Sequence, residues 1–193
     1  EKRHCAHVAR LSTQIFDQLV AQLDLHDATW ATPQARELLE TAGLLYDVGY
    51  HINYSKHHLH SYHLIVHSDL AGFSQRELEI VGSIARYHRR AEPSLKHEHY
   101  AKLSGEDREL VRRLSAILRL AGGLDRTHMR RVKDVELRIV DGTAWFTLEA
   151  DADPVVDIWG ASRKSSLFRR VFGLEPRFSW RPVGSLEEAE AAV

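Results

Sequence analysis

Histidine and aspartate side chains recur along the first two thirds of the chain, near the ends of predicted helices. The candidate metal ligands are His7, His60, His88, Asp47 and Asp125. Because imidazole and carboxylate groups from different helices can converge on one divalent cation, we expect His7, Asp47 and Asp125 to hold an ion. His60 and His88 could hold a second ion, bridged by Asp47, and paired ions would activate water against a phosphoester. The expected cofactor is a divalent metal: Mg, Mn, Fe, Ni or Zn.

Basic side chains cluster close to the same helix ends. The candidates for binding a polyanion are Lys56, His57, Arg86, Arg89, Arg90, Arg126 and Arg130. If the bundle brings these helix ends together, the side chains line one groove with positive charge, which suits a chain of repeating phosphates. Histidines in such a groove would strengthen binding as they protonate at mildly acidic pH.

Each of these residues also has a purely structural interpretation. His7 could pack beside the core, and Asp47 could cap a helix or pair with an arginine. His88 and the arginines after it could simply stabilise a helix C-terminus, where the helix dipole favours cations. An Asp125–Arg126 ion pair on the surface would contribute little stability. The whole set of these residues is more informative than any one of them, because unrelated structural residues are not expected to occur together in this order.

The composition is that of a folded domain, and the cysteine count favours a reducing compartment. The chain has 193 residues, 44% hydrophobic and 27% charged, and a formal net charge of −1. A net charge this close to zero creates no overall electrostatic attraction to nucleic acid or to a membrane, so we expect neither a specific nucleic-acid partner nor membrane binding. Cys5 is the one cysteine, which excludes an internal disulfide and favours a reducing compartment, and a cytoplasmic location is expected.

Helical periodicity predicts a bundle in the first part of the chain. Thr32-Pro33, Ser74 with Glu77 three residues later, and Ser104 are helix-start signals. The predicted helices span residues 3–24, 33–47, 58–67, 75–88 and 105–123, with a polar loop over 91–103. The opening "EKRHCAHVARL" lacks an initiator Met, so we expect a piece of a longer protein.

The pattern changes at about residue 131. "VELRIV" and "AWFTLEA" alternate apolar and polar residues around Asp141-Gly142, a strong hairpin signal. A helix is expected within residues 154–172 and a short strand at "PRFSW". The predicted fold class is mainly α, a helical bundle over residues 1–130 followed by a small α+β appendage over 131–182. Residues 183–193 are expected to form a flexible tail.

The helical part resembles an HD domain, the metal-dependent phosphohydrolase fold. The HD pattern has a His on an early helix, a His-Asp pair ending the next, further histidines and a late Asp. In this chain the pair is Tyr46-Asp47. A neutral phenol is a poor ligand for a divalent cation at neutral pH, so this departure weakens the expected metal centre.

Three segments together resemble the C-terminal domain of the exopolyphosphatase and guanosine pentaphosphate phosphohydrolase (Ppx/GppA) family. They are "LLYDVGYHINYSKHHLHSYHLI", "DLAGFSQRELEIVGSIARYHRR" and "LSAILRLAGGLDRTH". The resemblance covers roughly residues 1–182 and implies an HD-like helical domain followed by a small mixed segment. It also implies that hydrolysis takes place in two N-terminal domains that this chain does not include. The C-terminal domain would hold inorganic polyphosphate or phosphate, contact those catalytic domains and support a homodimer.

Three functions remain open at the level of the sequence. The first is an accessory domain that binds polyphosphate and supports dimerisation. The second is a divergent metal-dependent HD phosphohydrolase acting on a nucleotide or another phosphoester. The third is a structural helical domain that packs against a partner, with incidental histidines.

Overall fold

The computed structural model describes residues 2–23, 28 and 30–185. The first part is a bundle in which all five predicted helices are present. A 3₁₀ turn, Val48–His51, and a single helical turn, α5, lie between them and were not predicted. The helices are α1 (Lys2–Gln22), α2 (Pro33–Leu45), α3 (His57–Val66), α4 (Gln75–Arg86), α5 (Glu98–Ala101) and α6 (Gly105–Gly123).

The helix starts follow the capping signals in the sequence. Thr32 accepts a hydrogen bond from the backbone N–H of Ala35, with Pro33 in the first turn. Ser74 and Glu77 form a reciprocal capping box that opens α4. Ser104 caps α6 by accepting from the N–H of Asp107. These side chains satisfy N–H groups that have no partner within the helix, which fixes where each helix begins.

The apolar stripes of the helices meet in one core. Leu11 and Ile15 of α1, Leu39 of α2, and Leu114 and Ile117 of α6 are fully buried there. Helix α1 packs against α2, α6 and the first strand. Among the described residues, no helix combines the length and apolar character needed to cross a membrane.

The C-terminal part is a three-stranded sheet with two helices. Strands β1 (Val132–Val140) and β2 (Thr143–Ala150) pair antiparallel. Asp141 and Gly142 both have positive φ, 47° and 73°, as a two-residue hairpin of this type requires. The single helix expected after β2 is instead two, α7 (Val155–Lys164) and α8 (Ser166–Phe172). Strand β3 (Glu175–Pro182) then returns parallel to β2. The fold class is therefore mainly α with a small α+β segment, as predicted.

Glutamine side chains of α1 cover the outer edge of β1. Gln18 donates to the carbonyl of Val135 and accepts from the N–H of Leu137, both at 2.7 Å. Gln22, one turn later, makes the same pair of contacts with Leu137 and Ile139. An amide side chain has both a donor group and an acceptor oxygen, so it takes the place of a neighbouring strand and covers an edge that could otherwise pair with another chain. The expected division at residue 131 stays a prediction, and α1 contacts both sides of it.

Two glycines let α7 cross close to α6. A Cβ on Gly123 would lie 2.5 Å from the Cα of Ala161, and one on Gly160 would lie 2.7 Å from the carbonyl oxygen of Gly123. Any side chain here would push the helices apart. The close crossing brings the last turn of α7 against the end of α6. The expected tail over 183–193 begins with a turn at residues 183–185, and residues 186–193 lie outside the described part.

Candidate functional site

The ends of several helices surround a pocket of about 340 Å³, here called the basic pocket. It lies between α1, the turn after α2, the start of α3, the end of α4, the end of α6 and α7. The lining residues are His4, Tyr46, Asp47, Tyr50, Tyr54, His57, His88, Arg89, Arg90, Gly122, Arg126, His128, Trp159, Gly160, Arg163 and Lys164.

Three buried side chains with lone pairs converge on the floor of this pocket. The Nε2 atoms of His57 and His88 are 3.3 Å apart, and they lie 3.2 and 3.8 Å from Oδ1 of Asp47. Nδ1 of His57 lies 3.1 Å from the carbonyl of Tyr54, and Nδ1 of His88 lies 2.7 Å from that of Ala85. A carbonyl can only accept, so Nδ1 of His88 carries the proton. Burial, with the nearby Lys164 charge, lowers the pKa of His88 well below its usual value. Its Nε2 therefore presents a lone pair. Asp47, His57 and His88 form a group that could hold a metal ion.

Local backbone geometry holds Asp47 next to α3. Asp47 precedes the 3₁₀ turn, and Gly49 in that turn packs directly on α3: a Cβ there would lie 2.2 Å from the carbonyl oxygen of His57. Ser61 of α3 donates to the carbonyl of Tyr46 at 2.6 Å and accepts from the N–H of Gly49 at 2.9 Å. The turn after α2 is thus fixed against the first turns of α3, which sets the Asp47–His57 distance.

The segment after α4 is held by an arginine from the core. Arg119 of α6 donates to the carbonyls of Tyr87, at 2.9 Å, and Arg90, at 3.3 Å. Arg90 has a positive φ of 55°, so the chain turns sharply here. The turn presents His88 and Arg89 to the same pocket.

A second group lies behind the first, and its members are bonded to one another. His4 donates from Nδ1 to Oδ2 of Asp125 at 2.7 Å, and its Nε2 lies 2.5 Å from the Tyr46 hydroxyl. Burial and the nearby Asp47 carboxylate raise the pKa of Tyr46 well above its usual value, so the phenol keeps its proton. Oδ1 of Asp125 accepts from the N–H of Arg130 at 2.7 Å. These bonds occupy both ring nitrogens of His4 and both oxygens of Asp125.

The walls of the pocket are positively charged. Arg89, Arg90, Arg126, Arg163 and Lys164 line it, and Asp47 is the one acidic side chain among the described lining residues. Nη1 of Arg89 lies 3.3 Å from both ring nitrogens of His57. Burial, with the charges of Arg119 and Arg126 nearby, lowers the pKa of Lys164 to about 8. Burial is the main cause of the lowered pKa, and the neighbouring arginine charges lower it further.

Aromatic rings form the rest of the rim. Tyr50 stacks on His57 with ring centroids 3.9 Å apart, and Tyr54 lies behind it at 5.4 Å from Tyr50. Across the pocket, the exposed Trp159 lies under the guanidinium of Arg163, 5.6 Å from its ring centroid. His128 stacks on His4 at 3.6 Å. The stacking restrains His57 and Arg163 in orientations that face the pocket.

The predicted polyanion-binding residues divide into two groups. His57, Arg89, Arg90 and Arg126 line the basic pocket. Three others lie outside its lining: Lys56 and Arg130 are exposed, and Arg86 packs over the ring of Tyr62, 5.6 Å from its centroid. The helix ends were correctly identified, but the sequence did not show which side of each end faces inward. Whether any of them binds a polyanion stays a prediction.

The predicted metal ligands also separate. Asp47 and His88 belong to the converging group, and Asp125 lies behind it, bonded to His4. His7 lies on α1, one turn beyond His4, and its side chain is next to the start of β1. Burial there lowers the pKa of His7 to about 4. His60 lies on α3 beside Gly49, outside the pocket lining. His7 and His60 are not brought to Asp47, because each lies three residues, about 4.5 Å along the helix axis, beyond the histidine of its helix that lines the pocket.

Sequence reasoning did not include several residues of the site. His4 precedes His7 by three residues, and its distinguishing signal is a position on the same helical stripe as Cys5, Val8 and Leu11. Arg163 and Lys164 lie beyond the predicted bundle, so only the close crossing at Gly123 and Gly160 reveals them. The sequence signal for this helix crossing was a glycine in each of the two segments, Gly123 in "LAGGLD" and Gly160 in "IWGAS".

Comparison with known proteins gives the family of this chain. A family model described as Ppx/GppA phosphatase, domain III, matches residues 1–157. A guanosine-5'-triphosphate,3'-diphosphate pyrophosphatase of Vibrio vulnificus is 34% identical over 63% of this chain and 22% of its own length. The proteins of the same name from Vibrio parahaemolyticus and Pseudoalteromonas atlantica are 38% and 24% identical, over 64% and 85% of this chain.

This chain spans between 22% and 32% of the length of those three relatives. The matched family model covers most of the chain, including α1 to α6 and the hairpin that follows them. The chain belongs to the Ppx/GppA phosphatase family and corresponds to its domain III.

Proposed function

We propose that this domain binds inorganic polyphosphate or phosphate in the basic pocket and acts as the accessory domain of a Ppx/GppA-type phosphohydrolase. The observation that carries the proposal is the convergence of five basic side chains, from the segments after α4 and α6 and from α7, on one open pocket of about 340 Å³. Membership of the phosphatase family favours a phosphate compound as the ligand of these basic side chains. Arginines bind phosphate oxygens through paired, charge-assisted hydrogen bonds.

The charge distribution favours a polyanion over a neutral ligand. One carboxylate, Asp47, faces five cations among the described lining residues, whereas the whole chain has a formal net charge of −1. The positive potential is therefore local to the pocket. A concave site with one sign of charge concentrates field lines and attracts ligands of the opposite sign.

The proposal includes partners and a location. The domain would contact N-terminal catalytic domains of the same enzyme, where hydrolysis takes place, and would support a homodimer. An exposed apolar face of α7, with Val155, Val156 and Trp159, supports such a contact. A cytoplasmic location fits the single buried cysteine.

Light scattering of the purified chain tests the homodimer. A monomer at all protein concentrations would contradict the proposed dimerisation.

The binding proposal is tested by calorimetric titration with long-chain polyphosphate at low salt. We expect micromolar or tighter binding that weakens steeply with added salt, because bound cations on the polyphosphate are released. Guanosine-5'-triphosphate,3'-diphosphate, named in the relatives' activity, is titrated in parallel to compare the two ligands. Sulfate serves as a control for simple anion binding. If neither phosphate ligand binds more tightly than sulfate, the proposal fails and a structural role is favoured.

A metal-dependent phosphohydrolase is the second candidate, favoured by the convergence of Asp47, His57 and His88. Its test is hydrolysis of a chromogenic phosphodiester by the purified chain after loading with Mn²⁺, Zn²⁺ or Ni²⁺. Activity that an Asp47→Asn variant loses would support this candidate. No turnover with any of these metals would contradict it and leave the binding role.

A further inference from the structure

Lys164, the last residue of α7, lines the basic pocket with its side chain lying against the last turn of α6. A Cβ built on Gly122 would lie 3.7 Å from the lysine Nζ, so the missing side chain of Gly122 leaves room for the amine. The residue is partly accessible through the pocket, while protein atoms surround most of the amine. A small molecule in the pocket can therefore reach an amine that water solvates poorly.

The amine of Lys164 has no acid partner within bonding distance. Across residues 2–23, 28 and 30–185, its Nζ makes neither an ion pair nor a hydrogen bond. Two exposed lysines differ in this respect, because Lys102 pairs with Glu98 at 2.8 Å and Lys133 pairs with Asp151 at 2.7 Å. A buried ammonium group without such a partner is costly, which favours the uncharged amine.

The groups around Lys164 favour the uncharged amine as well. The charged and titratable groups that act on it or on which it acts are Arg89, Arg119, Arg126, Asp47 and His88. Burial first, and then the arginine charges, lower the pKa of Lys164 to about 8. At pH 8 about half of such an amine is uncharged, compared with about 0.4% for a solvated lysine. Desolvation next to other cations is one way in which proteins make a lysine nucleophilic.

We propose that Lys164 is an acylation site for small acyl phosphates, which the basic pocket binds through their phosphate group. This inference rests on the proposed function, because the same arginines would hold the phosphate of the reagent. Nζ attacks the carbonyl carbon and forms an amide bond, while the bond from that carbon to the phosphate oxygen breaks. The phosphate leaves with the bonding electrons and takes one proton from the amine, so the products are the amide and hydrogen phosphate.

Acylation of Lys164 lowers the charge of the same pocket. An amide is uncharged, so the reaction removes one of the five positive charges among the described lining residues. The acylated chain should bind long polyphosphate about fivefold more weakly at low salt, with a salt slope reduced by about 0.7. The modification therefore regulates the proposed binding function.

The site is tested by incubating the full chain with acetyl phosphate at pH 8 and measuring the acetylation rate of each lysine by peptide mass spectrometry. We expect Lys164 to react at least about tenfold faster than Lys96, because a larger fraction of its amine is uncharged. Lys96 is the matched control, since it is exposed and lies in the loop before α5. Inorganic phosphate and polyphosphate should slow the reaction of Lys164 and not that of Lys96.

A neutral acetylating ester, used in parallel, separates the reactivity of the amine from binding of the phosphate group. Its rate at Lys164 should level off above about pH 8, where most of the amine is uncharged, whereas its rate at Lys96 should keep rising to about pH 10. Arg163→Gln removes an exposed lining charge and should slow acetyl phosphate about fivefold without changing the rate of the ester. Arg130→Gln, which is exposed and outside the lining, should change neither rate.

The outcomes separate this inference from the proposed function. Equal acetylation of Lys164 and Lys96, in a chain that binds polyphosphate by calorimetry, overturns the acylation site and leaves the proposed function intact. Fast reaction of Lys164 with the ester, but no effect of Arg163→Gln on acetyl phosphate, also overturns it, because the pocket then does not hold the phosphate group. Selective acetylation that inorganic phosphate slows, in a chain that binds no polyphosphate, overturns the polyphosphate role and leaves the acylation site.

Discussion

Removing single charges should separate the residues that line the basic pocket from other arginines at the same helix ends. Arg89, Arg126 and Arg163 line the pocket, whereas Arg86 and Arg130 do not. The perturbation is the same in each variant, Arg→Gln, which keeps much of the side chain and removes one positive charge. Any difference between the two groups therefore reports position and not net charge.

The expected magnitude follows from the number of cations. With five basic side chains in the pocket, log affinity should fall with log salt with a slope of about −3.5 for a flexible polyanion. Removing one lining charge should reduce the slope by about 0.7. A charge that contacts phosphate in partly solvated surroundings is worth about 1 kcal/mol, so each lining variant should bind about fivefold more weakly at low salt. Arg86→Gln and Arg130→Gln should stay within about twofold of the wild type.

The assay is competition of polyphosphate with a fluorescent polyanion, measured at several salt concentrations for each variant. Thermal unfolding of each variant without ligand is the control for folding. The reasoning would be refuted if Arg86→Gln and Arg130→Gln weakened binding as much as the lining variants. The field of the surface as a whole, and not the pocket, would then explain binding.

Three further predictions concern charge, helix packing and the sheet edge. Lys164 loses its charge as the pH rises through about 8, so affinity for long polyphosphate should fall between about pH 7 and pH 9, and Lys164→Gln should remove that fall in the same titration. Gly123→Ala places a Cβ against α7 and should cost more than about 2 kcal/mol of unfolding free energy in urea, with weaker polyphosphate binding. Gln18→Ala leaves two backbone groups of β1 without their partner and should cost about 1–3 kcal/mol, whereas Glu37→Ala on the exposed face of α2 should cost less than about 0.5 kcal/mol.

Helices α2, α4 and α6 were predictable because each has a local signal. Thr32-Pro33, the Ser74 capping box and Ser104 mark where α2, α4 and α6 begin, and apolar stripes mark their inner faces. The hairpin was predictable for the same reason, because Asp141-Gly142 takes the two positive φ angles that such a turn requires. Local chemistry determines these features, so a single sequence contains them.

The site was only partly predictable because it depends on contacts between distant residues. Asp47 and His88 could be identified as candidate metal ligands and His57 as a candidate anion-binding residue, but not the 3.2 and 3.3 Å distances that join them at His57. His4 and His7 lie on one helix, and periodicity does not show which turn of α1 reaches Asp125. Arg163 and Lys164 reach the pocket only through the crossing of α6 and α7. That crossing depends on the absence of a side chain at two glycines far apart in sequence.

The central claim is that phosphate chains bind in the basic pocket. The most direct measurement is a ¹H–¹⁵N NMR titration of the labelled chain with polyphosphate at low salt, following backbone amides, arginine side chains and the Trp159 indole. The account predicts that the shifted signals cluster at Tyr50, Arg89, Arg126, Trp159 and Lys164. Shifts concentrated instead on the exposed face of the sheet, or spread evenly over surface lysines and arginines, would contradict it.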